Sequence, residues 1–183
     1  RPPLRGPIER RQHSEGRMTL TTTNLREVKL LQAFSEEDLG ILLKGGEILS
    51  FESLALMVIE GEPSGGLFFL MEGQAGIFKT NKTSGDLVEI AQLRAGHSFG
   101  EMSLIDDAPR SATIQALTPC KAFHLPSSVF MAFLGRNERT KCEFYQRCVA
   151  ELAKRLRSLD DHYVISQYNL WKVALKGDGK KVA

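Results

Sequence analysis

Cysteine, histidine and long apolar runs are scarce in this chain, and each scarcity removes a class of protein. The three cysteines, Cys120, Cys142 and Cys148, are odd in number and form no C-x-x-C pair. They fit neither a disulfide framework nor a zinc motif, and they read as reduced packing residues, one in a strand and two in a helix. The four histidines, His13, His97, His124 and His162, stand alone in the sequence, so no metal-ligating cluster is expected. No P-loop, no H-E-x-x-H motif and no nucleophile elbow G-x-S-x-G is expected. No apolar run has the length of about 20 residues that a membrane span needs, and no signal-type h-region is visible, so a cytoplasmic protein with no membrane partner is expected. The chain opens on Arg1, not Met, which leaves room for further domains upstream.

What is present is ordinary in bulk and uneven in distribution. Of 183 residues, 42% are hydrophobic and 25% charged, values that suit one globular domain with additions. The net charge is +2. Residues 1–17 hold five arginines against Glu9 and Glu15, and residues 172–183 hold four lysines against Asp178. Each end is therefore +3 and the middle −4. The expected organisation is a flexible basic arm over 1–17 and a globular domain over 18–135. A C-terminal helix over 136–171 and a basic tail over 172–183 follow.

Within that frame the periodicity changes twice. From Thr22 or Thr23, Leu25, Val28, Leu30 and Leu31 follow at helical spacing, and Ser35-Glu36-Glu37-Asp38 starts a second helix with acids in its first turn. That helix is expected to end near Gly45-Gly46. From Glu47 to Leu125, short apolar runs alternate with glycines. The strand candidates are 48–51, 55–59, 67–71, 75–79, 88–93, 112–116 and 122–125. Many short strands with regular glycine turns predict a mainly β, jelly-roll-like β-roll with flanking helices. A short helix over 129–134 precedes a long one from Glu138 to about Tyr163. There Tyr145, Val149, Leu152, Leu156, Leu159 and Tyr163 are spaced alternately four and three, a heptad stripe that fits a second copy of the same helix.

The segment Phe99 to Thr113 carries the chemistry. Gly100 permits close backbone approach. A short helix over Glu101–Ile105 would present unpaired N–H groups to an anion. Arg110 offers a planar, permanently charged fork for phosphate oxygens. Glu101 would repel phosphate but accepts bonds from sugar hydroxyls. These parts suit a sugar phosphate.

The string FGEMSLIDDAPRSATIQA resembles the phosphate-binding cassette of cyclic nucleotide-binding domains, as in protein kinase A regulatory subunits and catabolite activator proteins. The run Glu60-Gly61-Glu62-Pro63…Leu67-Phe68-Phe69-Leu70…Gly73 resembles that family's conserved hairpin, and His97 departs from its Gly-Asp-x-Phe pattern. The resemblance implies a β-roll (a double-stranded β-helix) with N-terminal helices and a long C-terminal helix. It further implies that Glu101 binds the ribose and Arg110 the cyclic phosphate, with backbone amides of Gly100, Met102, Ser103, Ser111 and Ala112 around it. Ile77, Leu93 and Phe99 are implied contacts for the base, and Arg155, Leu159 and Asp160 contacts from the long helix. In the family, threonine after the arginine favours cGMP, so Ser111 points to cAMP, with cGMP as the alternative ligand.

No cofactor and no metal is expected, and no catalytic residue: Glu101 and Arg110 lack a general base and acid partner for phosphodiester hydrolysis. Cupins share the roll but need clustered histidines. About twenty residues follow Tyr163, too few for the helix-turn-helix domain of the catabolite activators, so no DNA-binding domain is expected in this chain. The expected partners are the nucleotide, a second copy through the C-terminal helix, and an unknown effector protein. The competing readings are a ligand-free scaffold of the same fold, or a regulatory fragment of a larger enzyme or channel.

Overall fold

The computed structural model describes residues 20–177; the basic arm over 1–17 and the last six residues of the tail lie outside the described residues. The chain divides into two compact units between Cys142 and Glu143.

The first unit opens with α1 (Thr22–Arg26), capped reciprocally by Thr21 and Asn24: the Asn24 amide donates to Thr21 Oγ1 at 3.4 Å, and the Thr21 amide to Asn24 Oδ1 at 3.0 Å. The cap is thus Thr21, one residue before the expected threonines. The single expected helix is also broken, because Val28 is extended (ψ 122) and only a 3₁₀ turn, Lys29–Leu31, follows. Leu25, Val28, Leu30, Leu31 and Phe34 are nonetheless all buried, so the apolar spacing marked the inward face correctly across the break. α2 (Glu36–Gly45) has the same kind of cap, Ser35 with Asp38, and three acids in its first turn. It ends at Gly46, which is extended rather than left-handed.

Eight antiparallel strands then form two sheets. They are β1 (Glu47–Phe51), β2 (Leu56–Val58), β3 (Gly66–Glu72), β4 (Gln74–Thr80), β5 (Leu87–Arg94), β6 (Ser98–Phe99), β7 (Thr113–Ala116) and β8 (Cys120–Pro126). One sheet runs β1-β8-β3-β6 and the other β2-β7-β4-β5. Seven lie where the glycine-punctuated pattern predicts. The eighth, β6, is two residues long and too short to leave a periodicity. α3 (Met102–Ile105) is a single turn between β6 and β7, and α4 (Ser127–Leu134) follows β8.

The core between the sheets is built from inward positions of both, among them Leu49, Phe51, Met57, Phe68, Leu70, Leu93, Phe99, Ile114 and Ala122. The first sheet is covered on its other face too, where α2 and α4 pack on β8. Gly45 and Gly46 sit so close there that an added Cβ would meet Val129 and Phe123. Burial on both faces explains why β3 reads as an unbroken apolar run, Leu67-Phe68-Phe69-Leu70, rather than alternating.

In the second unit, α5 starts at Glu138 within the first and runs to Gly177, fourteen residues beyond the expected end at Tyr163. Its start is capped by Asn137 Oδ1, which accepts from the Arg139 amide at 2.9 Å. Nothing between Tyr163 and Gly177 breaks a helix, since the intervening residues include neither glycine nor proline. Leu156, Leu159, Tyr163, Leu170 and Val173 are exposed along it. No helix among the described residues is long and apolar enough to cross a membrane.

Candidate functional site

Arg110 and Glu101 are the buried charges of the roll, 5% and 3% exposed. A charge is buried only where it is paired or hydrogen-bonded, and the chain supplies both. Arg110 Nη2 donates to the Gly66 carbonyl at 2.7 Å and Nη1 to the Gly100 carbonyl at 3.3 Å. The guanidinium also lies over the Phe68 ring, 5.8 Å from its centre. Burial pulls the Arg110 pKa below its ordinary value, and the Glu101 charge pushes back. Gly100 makes this packing feasible. Its φ is +92°, and a Cβ there would fall 2.3 Å from Arg110 Nη1 and 2.7 Å from the Gly66 oxygen.

The backbone of Arg110 is fixed independently of its side chain. Its amide donates to the Glu62 carbonyl at 2.8 Å, and its carbonyl accepts from the Gly61 amide at 2.9 Å. One residue on, the Ser111 carbonyl accepts from Lys79 Nζ at 2.6 Å. The same ammonium donates to Glu60 Oε1, and Glu60 Oε2 accepts from the Thr80 amide at 3.0 Å. The Lys79 bond, then the Thr80 amide, hold the Glu60 carboxyl below its ordinary pKa. The hairpin Glu60-Gly61-Glu62 and the end of β4 therefore clamp the arginine's stretch of chain.

The structure brings together most of the residues singled out by sequence. Gly100, Glu101, Met102 and Ser103 follow β6 in a tight turn; Glu101 and Ser103 are buried and Met102 is exposed. Exposed Ser111 reaches back to it, its Oγ 3.7 Å from Met102 Sδ, and half-buried Ala112 leads into β7. Phe99 and Leu93 lie in the core between the sheets, with Ile77 half-buried against it. Arg155, Leu159 and Asp160 belong to the second unit; Arg155 Nε lies 3.9 Å from Glu151 Oε1, and Leu159 and Asp160 are exposed.

Two expectations change. α3 begins at Met102, with Glu101 as its cap residue, and spans one turn, so it offers the few unpaired amides of a helix start without a helix dipole of consequence. Gly96-His97-Ser98-Phe99-Gly100 does spell G-x-S-x-G, against the expectation that no such motif occurs. A nucleophile elbow needs an exposed serine on a sharp strand-to-helix turn, whereas Ser98 is a strand residue paired with Phe69 and only 8% exposed. Among the described residues no group of three His, Cys, Asp or Glu side chains could hold a metal ion. The sequence reading assigned no role to Gly66, Lys79 or His124; the glycine doublet Gly65-Gly66 ahead of an apolar strand was the available signal for the first.

The antiparallel roll with its flanking helices has known counterparts. Residues 48–137 match the family model described as the cyclic nucleotide-binding domain. The chain belongs to that family. Among curated relatives it is 33% identical to glutaminase 1 of Bradyrhizobium diazoefficiens over 135 residues, 74% of this chain and 21% of that one. It is 32% identical to the cAMP-dependent protein kinase regulatory subunit of Colletotrichum orbiculare over 133 residues, 70% of this chain and 33% of that one. It thus spans a fifth to a third of the length of these relatives. Among solved structures, the regulatory domain of Toxoplasma gondii PKA in co-crystal with cAMP is 26% identical with a TM-score of 0.59, covering 62% of this chain and 44% of that one.

Proposed function

We propose that this cyclic nucleotide-binding domain is a cAMP-sensing regulatory module, not an enzyme. The observation that carries the reading is the buried Glu101–Arg110 pair, with the guanidinium aimed by the carbonyls of Gly66 and Gly100. Carbonyls accept only, so they orient the fork without adding a counter-charge to that of Glu101. Arg110 takes the cyclic phosphate together with the amides of Gly100, Met102, Ser103, Ser111 and Ala112. Glu101 takes the ribose hydroxyl, and the base lies against Ile77, Leu93 and Phe99. Ser111, in the place where cGMP binders of the family have threonine, favours cAMP. Two of the relatives, a cAMP-dependent protein kinase regulatory subunit and a PKA regulatory domain in co-crystal with cAMP, support the same choice.

The signal passes to α5, and it has an effect only insofar as the ligand prefers one helix arrangement over another. The heptad stripe of α5 pairs two copies. Because the helix continues to Gly177, the stripe gains Leu170 and Val173, interrupted by Ser166. The module works in the cytoplasm through an effector partner. Its match to a fifth of a glutaminase supports a second reading, a regulatory piece of a larger enzyme.

Titration calorimetry with cAMP and cGMP tests the assignment. Saturable binding with cAMP the tighter ligand is expected, and Arg110→Ala weakens it by several kcal/mol, about a hundredfold or more. Arg110→Lys, which keeps the charge but not the fork, falls between. Silence with both nucleotides in a folded chain would leave the ligand-free scaffold; tighter cGMP binding would reverse the base assignment.

A further inference from the structure

A single row of side chains crosses the four strands of the first sheet. In register, Glu47 of β1 faces His124 of β8, His124 faces Phe68 of β3, and Phe68 faces Phe99 of β6. The three rings stack: His124 on Phe68 at 4.6 Å, and Phe68 on Phe99 at 5.0 Å with planes 1° apart. The guanidinium of Arg110 rests on the middle ring. His124 is 8% exposed and its Nε2 lies 3.2 Å from the Gly65 carbonyl. A carbonyl only accepts, so Nε2 carries the proton. Nδ1 is buried and makes no hydrogen bond, with Glu47 Oε1 3.5 Å away.

We infer that His124 is a positioning residue for Arg110. It acts at two points on the arginine's seat. Its N–H holds the Gly65 carbonyl, and the next carbonyl along, that of Gly66, is the one that accepts from Arg110 Nη2. Its ring backs the Phe68 ring on which the guanidinium lies. The fit leaves little slack, because a Cβ at Gly66 would come within 2.2 Å of the Leu125 oxygen and 3.0 Å of His124 Nε2. Positioning of a charged fork matters more for a bidentate anion than for any other ligand part, since both bonds need the fork's plane. His124 therefore governs the phosphate term of binding and not the base term. The inference rests on the cAMP-binding reading above.

The test compares His124→Ala, His124→Gln (an N–H without the ring) and His124→Phe (the ring without the N–H) in the full chain. Each is titrated with cAMP and with adenosine, which lacks the phosphate, and the phosphorus NMR shift of bound cAMP is recorded. For His124→Ala we expect cAMP affinity to fall about tenfold, the scale of one lost hydrogen bond. The phosphorus resonance should move, adenosine binding should hold, and each conservative variant should recover part of the loss. Wild-type affinity and resonance in all three variants overturn the inference, as does an equal fall for cAMP and adenosine, which marks a merely structural residue. A folded wild-type chain that takes up no cAMP overturns the binding reading itself and this inference with it.

Discussion

Replacing Gly100 by alanine separates two costs that the structure places at one residue. Alanine at φ +92° carries the steric penalty of left-handed backbone, about 1–2 kcal/mol. The methyl would also arrive 2.3 Å from Arg110 Nη1 and 2.7 Å from the Gly66 oxygen. The second neighbour is backbone at the start of β3, paired with Pro126, and does not yield. The guanidinium can swing aside, but it then gives up hydrogen bonds from a charged donor worth about 1.5–3 kcal/mol. The expected destabilisation is about 2.5–5 kcal/mol, the sum of the two. Gly85, in the turn between β4 and β5, is the control: its φ is +76° and a Cβ there meets nothing within 4 Å. Gly85→Ala should cost only the backbone part, about 1–2 kcal/mol. Urea unfolding followed by circular dichroism measures both, with cAMP titration of the folded variants alongside. If Gly100→Ala costs no more than Gly85→Ala and binds cAMP as tightly, the close approach of arginine and turn is not what the glycine serves.

Three further outcomes are expected. The Glu60 carboxyl is depressed in the folded state, so its contribution is present above the unfolded value of about 4.3 and is lost as the pH falls through the folded value. Glu60→Gln should lower stability at neutral pH and flatten the acid limb of the unfolding midpoint; superimposable limbs would contradict the assignment. Cys142 is exposed, whereas Cys148 is buried and Cys120 is buried with its thiol donating to the Gln74 and Thr118 carbonyls. Burial pushes the Cys120 pKa up, so a thiol reagent should modify one cysteine quickly and the other two only after denaturation. Two fast thiols would count against the placement of β8 or α5. Light scattering across micromolar concentrations should find a dimer that Leu156→Glu dissociates, and a monomeric wild type would end the heptad reading.

Much of the roll was legible in the residues. Glycines marked the strand ends because left-handed turns demand them, as at Gly61, Gly73, Gly85 and Gly96. That Gly100, Glu101 and Arg110 come together was legible because they belong to one short stretch of chain. What escaped lies in long-range pairing. That His124 would back Phe68 depends on the register of strands 56 residues apart, which local pattern does not encode. The division of the first helix escaped for another reason: Val28 continues the apolar spacing while its backbone leaves the helix. Gly96-His97-Ser98-Phe99-Gly100 shows the opposite hazard, a catalytic spelling on a buried strand.

The pairing of β1 with β8 sets the order of events during synthesis. Glu47 and His124, partners in that ladder, are 77 residues apart in the chain. The β4–β5 hairpin closes locally as soon as Arg94 has emerged, but the first sheet is incomplete until the ribosome has released Pro126. Until then β1 presents an unpaired edge, and the closing step joins the most distant strands, the slow kind of contact in a nascent chain. The seat of Arg110 is shared between β3 and β6, and β8 backs it. A chain arrested before β8 would therefore hold every residue of the cassette without the sheet that makes it a site.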